Sequence, residues 1–357
     1  MLYHLLISLP MMVCFFWSIF FLVRWFQQSV EPKIKGTILL FFVVSTVLYT
    51  NHWLYFTDSV STFGLFTYLL ANLSVYPIYY AYLRALTRAK MNWEIPVLMV
   101  PALLVAILFP LNSHHDWFDD DILLISARMG FAIQVAWVWY RGFQLLRATR
   151  LRMDNTYSDN RSYLLQPTYV LQHLLGIIAF ISTVLNIIGR EFFAHEAPVT
   201  VPAIIMSVLL FSLGFIAAHT EVPQETVTQE EESHEEDKAT TEETDALFFK
   251  ISTAIREQKL FADQRLTIQD LATAINSNRT YVSNCINRRT GLSFSQYIAH
   301  YRVEYAQQIL RDPKYKTDHD AITDAIALSG FSSDQNFYRV FKEVTGVTPL
   351  QFRKTKN

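Results

Sequence analysis

Charge is what this chain has least of. Only 17% of its 357 residues are Asp, Glu, Lys or Arg while 51% are hydrophobic, against about a quarter charged in an average soluble protein. That balance argues against one water-soluble globule. Cysteine is almost missing too: Cys14 and Cys285 stand in regions of different character, which argues against a disulfide framework and leaves no thiolate metal cluster. No HExxH, G-x-S-x-G or Walker phosphate loop occurs, so those routes to hydrolysis and phosphate chemistry are not marked. No enzymatic activity, metal or cofactor is expected.

The net charge of −2 hides a division. Residues 1–220 hold 13 basic and 11 acidic side chains, residues 221–245 hold 1 and 11, and residues 246–357 hold 16 and 10. Blocks of +2, −10 and +6 describe three environments in series, and three domains with those boundaries are expected.

In the first block, apolar runs recur at about 4–23, 37–56, 62–83, 95–111, 122–140, 167–188 and 199–218. Each approaches the roughly 20 residues that cross about 30 Å of hydrocarbon at 1.5 Å per residue. No Lys or Arg precedes the first run and "RWFQQSVEPKIK" follows it, so it reads as a retained helix and not a signal peptide. The connections after the first, third and fifth runs carry Arg24, Lys33, Lys35, Arg84, Arg88, Lys90, Arg141, Arg147, Arg150, Arg152 and Arg161; the opposite connections carry only Arg190. Positive charge marks the cytoplasmic side. Seven spans then put the amino terminus outside and everything beyond residue 220 in the cytoplasm.

Lipid satisfies no polar group, so those inside the runs need partners. Asn72, Gln134, Gln172, His173 and Asn186 suit hydrogen bonds between helices, with Pro77 and Pro101 as kinks, and Arg128 can snorkel towards the outer headgroups. The sharper expectation is a pocket in the outer half for an anionic or polar small ligand, with Arg128 as counter-charge among Asn72, Gln134, His173 and Asn186. The outer loop "NSHHDWFDDD" gathers His114, His115, Asp116, Asp119, Asp120 and Asp121. Adjacent histidines do not share a helix face and no further ligand follows at a defined spacing, so this reads as a solvated loop.

The middle block, "EVPQETVTQEEESHEEDKATTEETD", has too little apolar surface to offset the entropy of ordering and is expected to be disordered and extended. As a coil it reaches about 25–30 Å. It serves either as a spacer or as an anionic strip that competes with phosphate for the basic block.

In the last block, "LTIQDLATAI" offers Thr267 as an N-cap with Asp270 three residues on, and Leu271, Ala274 and Ile275 as an inward stripe. "RTYVSNCINRRTG" follows, with Val282, Cys285 and Ile286 inward and Arg279, Thr280, Ser283, Asn284 and Asn287 outward. Helix, short turn and a second helix with a polar outward face is what a major-groove reader requires. The pattern repeats: Ile322, Ala325, Ile326 and Leu328, a break at Gly330, then a helix with Phe337, Val340 and Phe341 inward and Asp334, Gln335, Asn336, Tyr338, Arg339 and Lys342 outward. "SFSQYIAHYRVEYAQQIL", with Ile298, Tyr301, Tyr305, Ile309 and Leu310, predicts a long helix joining the two.

On "RTYVSNCINRRTGLSFSQYIAHYR" and "AIALSGFSSDQNFYRVFKEVTGVTPLQFRK", residues 247–354 resemble the AraC/XylS family of bacterial transcription regulators. The resemblance implies a seven-helix domain whose two helix-turn-helix motifs enter successive major grooves of double-stranded promoter DNA. Base contacts would come from around Thr280, Ser283 and Asn284 in the first motif and from Asp334, Gln335 and Arg339 in the second, with Lys342 near phosphate. Ile286 stands where the family usually has Phe, and Asn284 and Asn287 stand where Arg and Lys are common, which lowers phosphate attraction. The first block looks like the seven-span sensor region of some membrane-anchored regulators of this type.

The predicted fold class is all-α: a seven-helix transmembrane bundle, a disordered acidic linker and an all-α domain with two helix-turn-helix motifs. The predicted function is that of a one-component transcription regulator, multi-pass in a bacterial inner membrane, responding to a small-molecule or membrane signal. Its partners would be promoter DNA, the lipid bilayer and, through a change in self-association, a second copy in a homodimer. A membrane transporter or enzyme with an autoregulatory DNA-binding tail is the rival reading, and a bundle acting purely as anchor the third.

Overall fold

The computed structural model describes residues 2–27, 32–57, 61–90, 92–115, 120–159, 161–188, 197–220 and 241–355. No strand occurs among the described residues. The chain divides into two units, Met1–Arg147 with Leu164–Gln224, and Ala148–Tyr163 with Glu225–Asn357.

Seven helices stand at the seven apolar runs: α1 Leu2–Phe26, α2 Pro32–Tyr55, α3 Thr62–Leu86, α4 Glu94–His115, α5 Asp120–Thr156, α6 Gln166–Ile188 and α7 Ala197–His219. By length and composition α1, α2, α4 and α7 are apolar enough to cross a membrane. The others are more mixed: α3 carries Arg84 in its last turn, α5 ends in the Arg-rich "LLRATRLRMDNT", and the apolar part of α6, Gln166–Ile181, falls short of spanning length and includes Gln172 and His173. In the first unit α1 packs on α2 and α7, α2 on α3, α3 on α4, and α6 on α7.

The interior of this unit is built from Trp17, Phe21, Ile38, Phe42, Leu83 and Leu213, with Phe21 and Phe42 stacked at 5.9 Å between ring centroids. Its surface is unusual. Phe15, Phe16, Leu22, Ile133 and Phe180 are exposed while Tyr79, Tyr82, Gln134 and Gln172 are buried. Water would penalise such an outer face, and hydrocarbon would not. Proline fits the same picture: Pro10, Pro77, Pro101, Pro110 and Pro202 all lie inside helices, where each costs about 3 kcal/mol in water. The helices run on through Pro77 and Pro101, so neither interrupts its element.

Two kinds of polar link cross between these helices. The Gln134 amide donates to the carbonyls of Leu98 at 2.6 Å and Leu73 at 3.2 Å, tying α5 to α4 and α3, and Gln172 on α6 donates to Val138 and Trp139 of α5 at 3.4 Å. Glu94 at the start of α4 forms the second link. Its carboxylate accepts from the Tyr80 hydroxyl at 2.6 Å and pairs with Arg141 at 2.5 Å and Arg84 at 3.7 Å.

In the second unit, α8 spans Thr241–Glu257, α9 Ile268–Ala274, α10 Arg279–Thr290, α11 Phe294–Arg311, α12 Asp318–Leu328, α13 Asp334–Thr345 and α14 Pro349–Lys354. The acidic linker was expected to run to residue 245, yet Thr241–Asp245 open α8, and Asp245 pairs with Arg289 of α10. Its remainder, 221–240, lies outside the described residues.

Two apolar cores share one helix. Phe294 and Ile298 of α11 join Ile251, Leu271, Val282 and Ile286 in the first core, and Val303, Ala306 and Leu310 join Ala325, Phe331, Phe337 and Phe341 in the second. The long predicted connector is therefore a structural member of both halves. Two apolar expectations fail. Ala274 is exposed because α9 ends there, and Leu328 is exposed because Phe331, swung inward after the Gly330 turn, fills the core in its place. Gly330 has φ +78°, and an added Cβ would fall 2.5 Å from the Phe261 carbonyl oxygen; only glycine meets both demands.

Candidate nucleic-acid interface

Helices α10 and α13 are each started by a side chain. Asn278 caps α10 by accepting the Tyr281 N–H at 2.8 Å, and Ser333 caps α13 by accepting the Asn336 N–H at 3.2 Å; such caps are worth about 1 kcal/mol. The preceding α9 opens on Thr267 and Asp270 in a reciprocal capping box. Gly291 and Gly346, both left-handed, end α10 and α13.

With Val282, Cys285 and Ile286 buried, α10 turns Arg279, Thr280, Asn284 and Asn287 outward, and Ser283 is half-buried. On α13, Phe337, Val340 and Phe341 are buried, and Asp334, Gln335, Tyr338, Arg339 and Lys342 are exposed. Asn336 is a correction. Expected outward, it is 4% exposed. Its amide donates to Asp159 at 2.6 Å and its carbonyl oxygen accepts from Arg339 at 2.8 Å. Arg339 also pairs with Glu343 at 3.2 Å.

The cover over Asn336 comes from the stretch after α5, which the sequence showed only as a row of positive charges. Ser158 donates its N–H to the Leu266 carbonyl at 3.0 Å, beside a single antiparallel bridge between Tyr157 and Thr267. Thr156 accepts from the Arg279 guanidinium at 2.7 Å. Arg302 of α11, 1% exposed, donates to the carbonyls of Phe261 and Asp263, both at 2.8 Å, and to the Ser158 hydroxyl and carbonyl at 2.9 and 3.1 Å. Burial pulls its pKa down to about 10, opposed by Asp159 and Asp263, so the guanidinium stays charged at neutral pH. Burial pushes the Asp154 carboxyl up, against a hydrogen bond from Ser162 and the charges of Arg150 and Arg339.

The small-ligand candidates meet different surroundings. Asn72 on α3 and Arg128 on α5 are half-buried. Gln134 has its amide committed to α3 and α4, and His173 lies among the rings of Trp139, Phe143 and Tyr169 at 5.8, 5.4 and 4.8 Å. The side chain of Asn186 lies outside the described residues, as do Asp116, Asp119, Arg190 and the side chains of His114, His115, Asp120 and Asp121.

Two polar outward helices, each preceded by a short capped helix, make the second unit a helix-turn-helix structure. Residues 271–355 match the family of helix-turn-helix domains, and this region is of the AraC type. The chain is 35% identical over 92 residues to the melibiose operon regulatory protein of Escherichia coli and 32% identical over 89 residues to the Msm operon regulatory protein of Streptococcus mutans. It is 32% identical over 94 residues to the uncharacterized HTH-type transcriptional regulator YtdP of Bacillus subtilis. These alignments cover 25–26% of this chain and 12–30% of the relatives. No solved structure matches.

Proposed function

We propose that this chain is a membrane-integrated, one-component transcription regulator. Its second unit binds specific promoter DNA through α10 and α13, and its first unit sits in a bacterial inner membrane and senses a small-molecule or membrane signal. The observation that carries the reading is the pair of capped helices in one helix-turn-helix domain, with Arg279, Thr280, Asn284 and Asn287 on one outward face and Gln335, Arg339 and Lys342 on the other. These groups pair with base edges and phosphates. Support for the membrane half comes from four helices of spanning length and composition among the described residues, from the exposed Phe, Ile and Leu side chains around them, and from the one-sided distribution of Lys and Arg. Genome-wide mapping of DNA bound by the full-length protein tests the reading. A few sharp peaks upstream of genes are expected, and a flat profile from protein that is expressed and folded refutes it.

A further inference from the structure

The end of α5 and the residues just after it lie on the side chains that would read DNA. Ala148–Tyr163 belongs to the second unit, and its polar groups reach both reading helices. Thr156 holds Arg279 of α10 at 2.7 Å, and Asp159 holds Asn336 of α13 at 2.6 Å, with Arg339 bonded to the same Asn336. Between these ends Ser158 engages Leu266 and the buried Arg302. We propose that Thr156–Asp159 is an intramolecular clamp that occupies the DNA-reading face and must withdraw before duplex is bound.

The clamp takes what DNA would take. Hydroxyl and carboxylate oxygens accept from the same guanidinium and amide N–H groups that phosphate and base edges would otherwise engage. Asn336, almost fully covered, meets no groove while Asp159 stays in place.

Withdrawal is inexpensive by construction. Among the described side chains, neither apolar core of the second unit includes a residue from 148–163, whose buried apolar side chain Met153 lies outside both, so release leaves those two cores packed. It exposes polar groups that water or DNA satisfies, and Arg302 keeps the carbonyls of Phe261 and Asp263. The clamp begins at Thr156, the last residue of α5.

The inference rests on the DNA-binding reading above, and two measurements on the full chain in lipid nanodiscs test it, using a pool of random-sequence duplexes at low salt. Replacing Thr156→Ala together with Asp159→Ala removes two clamp bonds, one of them to a charged acceptor, and raises DNA affinity about tenfold or more. Unchanged or weaker binding overturns the clamp. The second measurement locks it. Tyr157→Cys with Thr267→Cys, in a Cys14→Ser, Cys285→Ala background, places two thiols across the antiparallel bridge, where Cβ atoms lie about 4.5–5.5 Å apart. Neither position belongs to the reading set. Oxidation should lower DNA affinity at least tenfold and reduction restore it; an oxidised chain that binds as well as the reduced one overturns the proposal. Should the reduced, unlocked and wild-type chains all ignore DNA, the functional reading itself has failed.

Discussion

At the scale of single residues, Arg339 carries the sharpest expectation. It is exposed on the second turn of α13 and holds Asn336 and Glu343. Arg339→Ala should cost about 1–3 kcal/mol at one base-pair position if the guanidinium pairs with guanine, read by binding to duplexes varied one position at a time. A uniform loss across all sequences would instead mark a phosphate contact. The candidate face was legible in the sequence because helical periodicity sorts Phe337, Val340 and Phe341 from their polar neighbours. The cover over Asn336 was not legible. It comes from Asp159, far back in the chain, and no local pattern encodes a pairing between two short polar side chains. The burial of Arg302 went unread for the same reason: its acceptors are backbone carbonyls and Ser158.

At the scale of elements, local chemistry was read well where it acts over three or four residues. The Thr267 and Asp270 capping box and the Gly330 turn are both present. The start of α8 is hidden in the sequence because Glu242, Glu243 and Asp245 continue the charge pattern of a disordered linker. The same carboxylates favour a helix N-terminus, where they face its positive dipole end, and α8 begins at Thr241. In the first unit, the joint between α3, α4 and α5 turns on Glu94, which is 5% exposed. Glu94→Gln leaves Arg84 and Arg141 without their anion; with Arg141 about a third exposed, solvent screening keeps the cost below that of a fully buried pair. A lower melting temperature of the detergent-solubilised protein is expected, with Glu94→Asp losing less. An unchanged melting temperature would show that the cluster is not a fastening.

At the scale of the whole molecule, the proposed orientation makes a direct demand. A reporter active only in the cytoplasm, fused after Asn357, should be active, and one that needs the periplasm should be silent there. The reverse pattern would put the helix-turn-helix domain on the wrong side for DNA. One further consequence follows from α11, which carries Ile298 into one core and Val303 into the other. An α-helix turns about 100° and advances about 1.5 Å per residue, whereas B-form duplex turns about 35° per base pair. One extra residue between Ile298 and Val303 would swing the distal reader by an angle that sliding along the groove cannot undo. The two proposed readers are geared together through α11, and their phase tolerates changes in helix length only in near-whole turns.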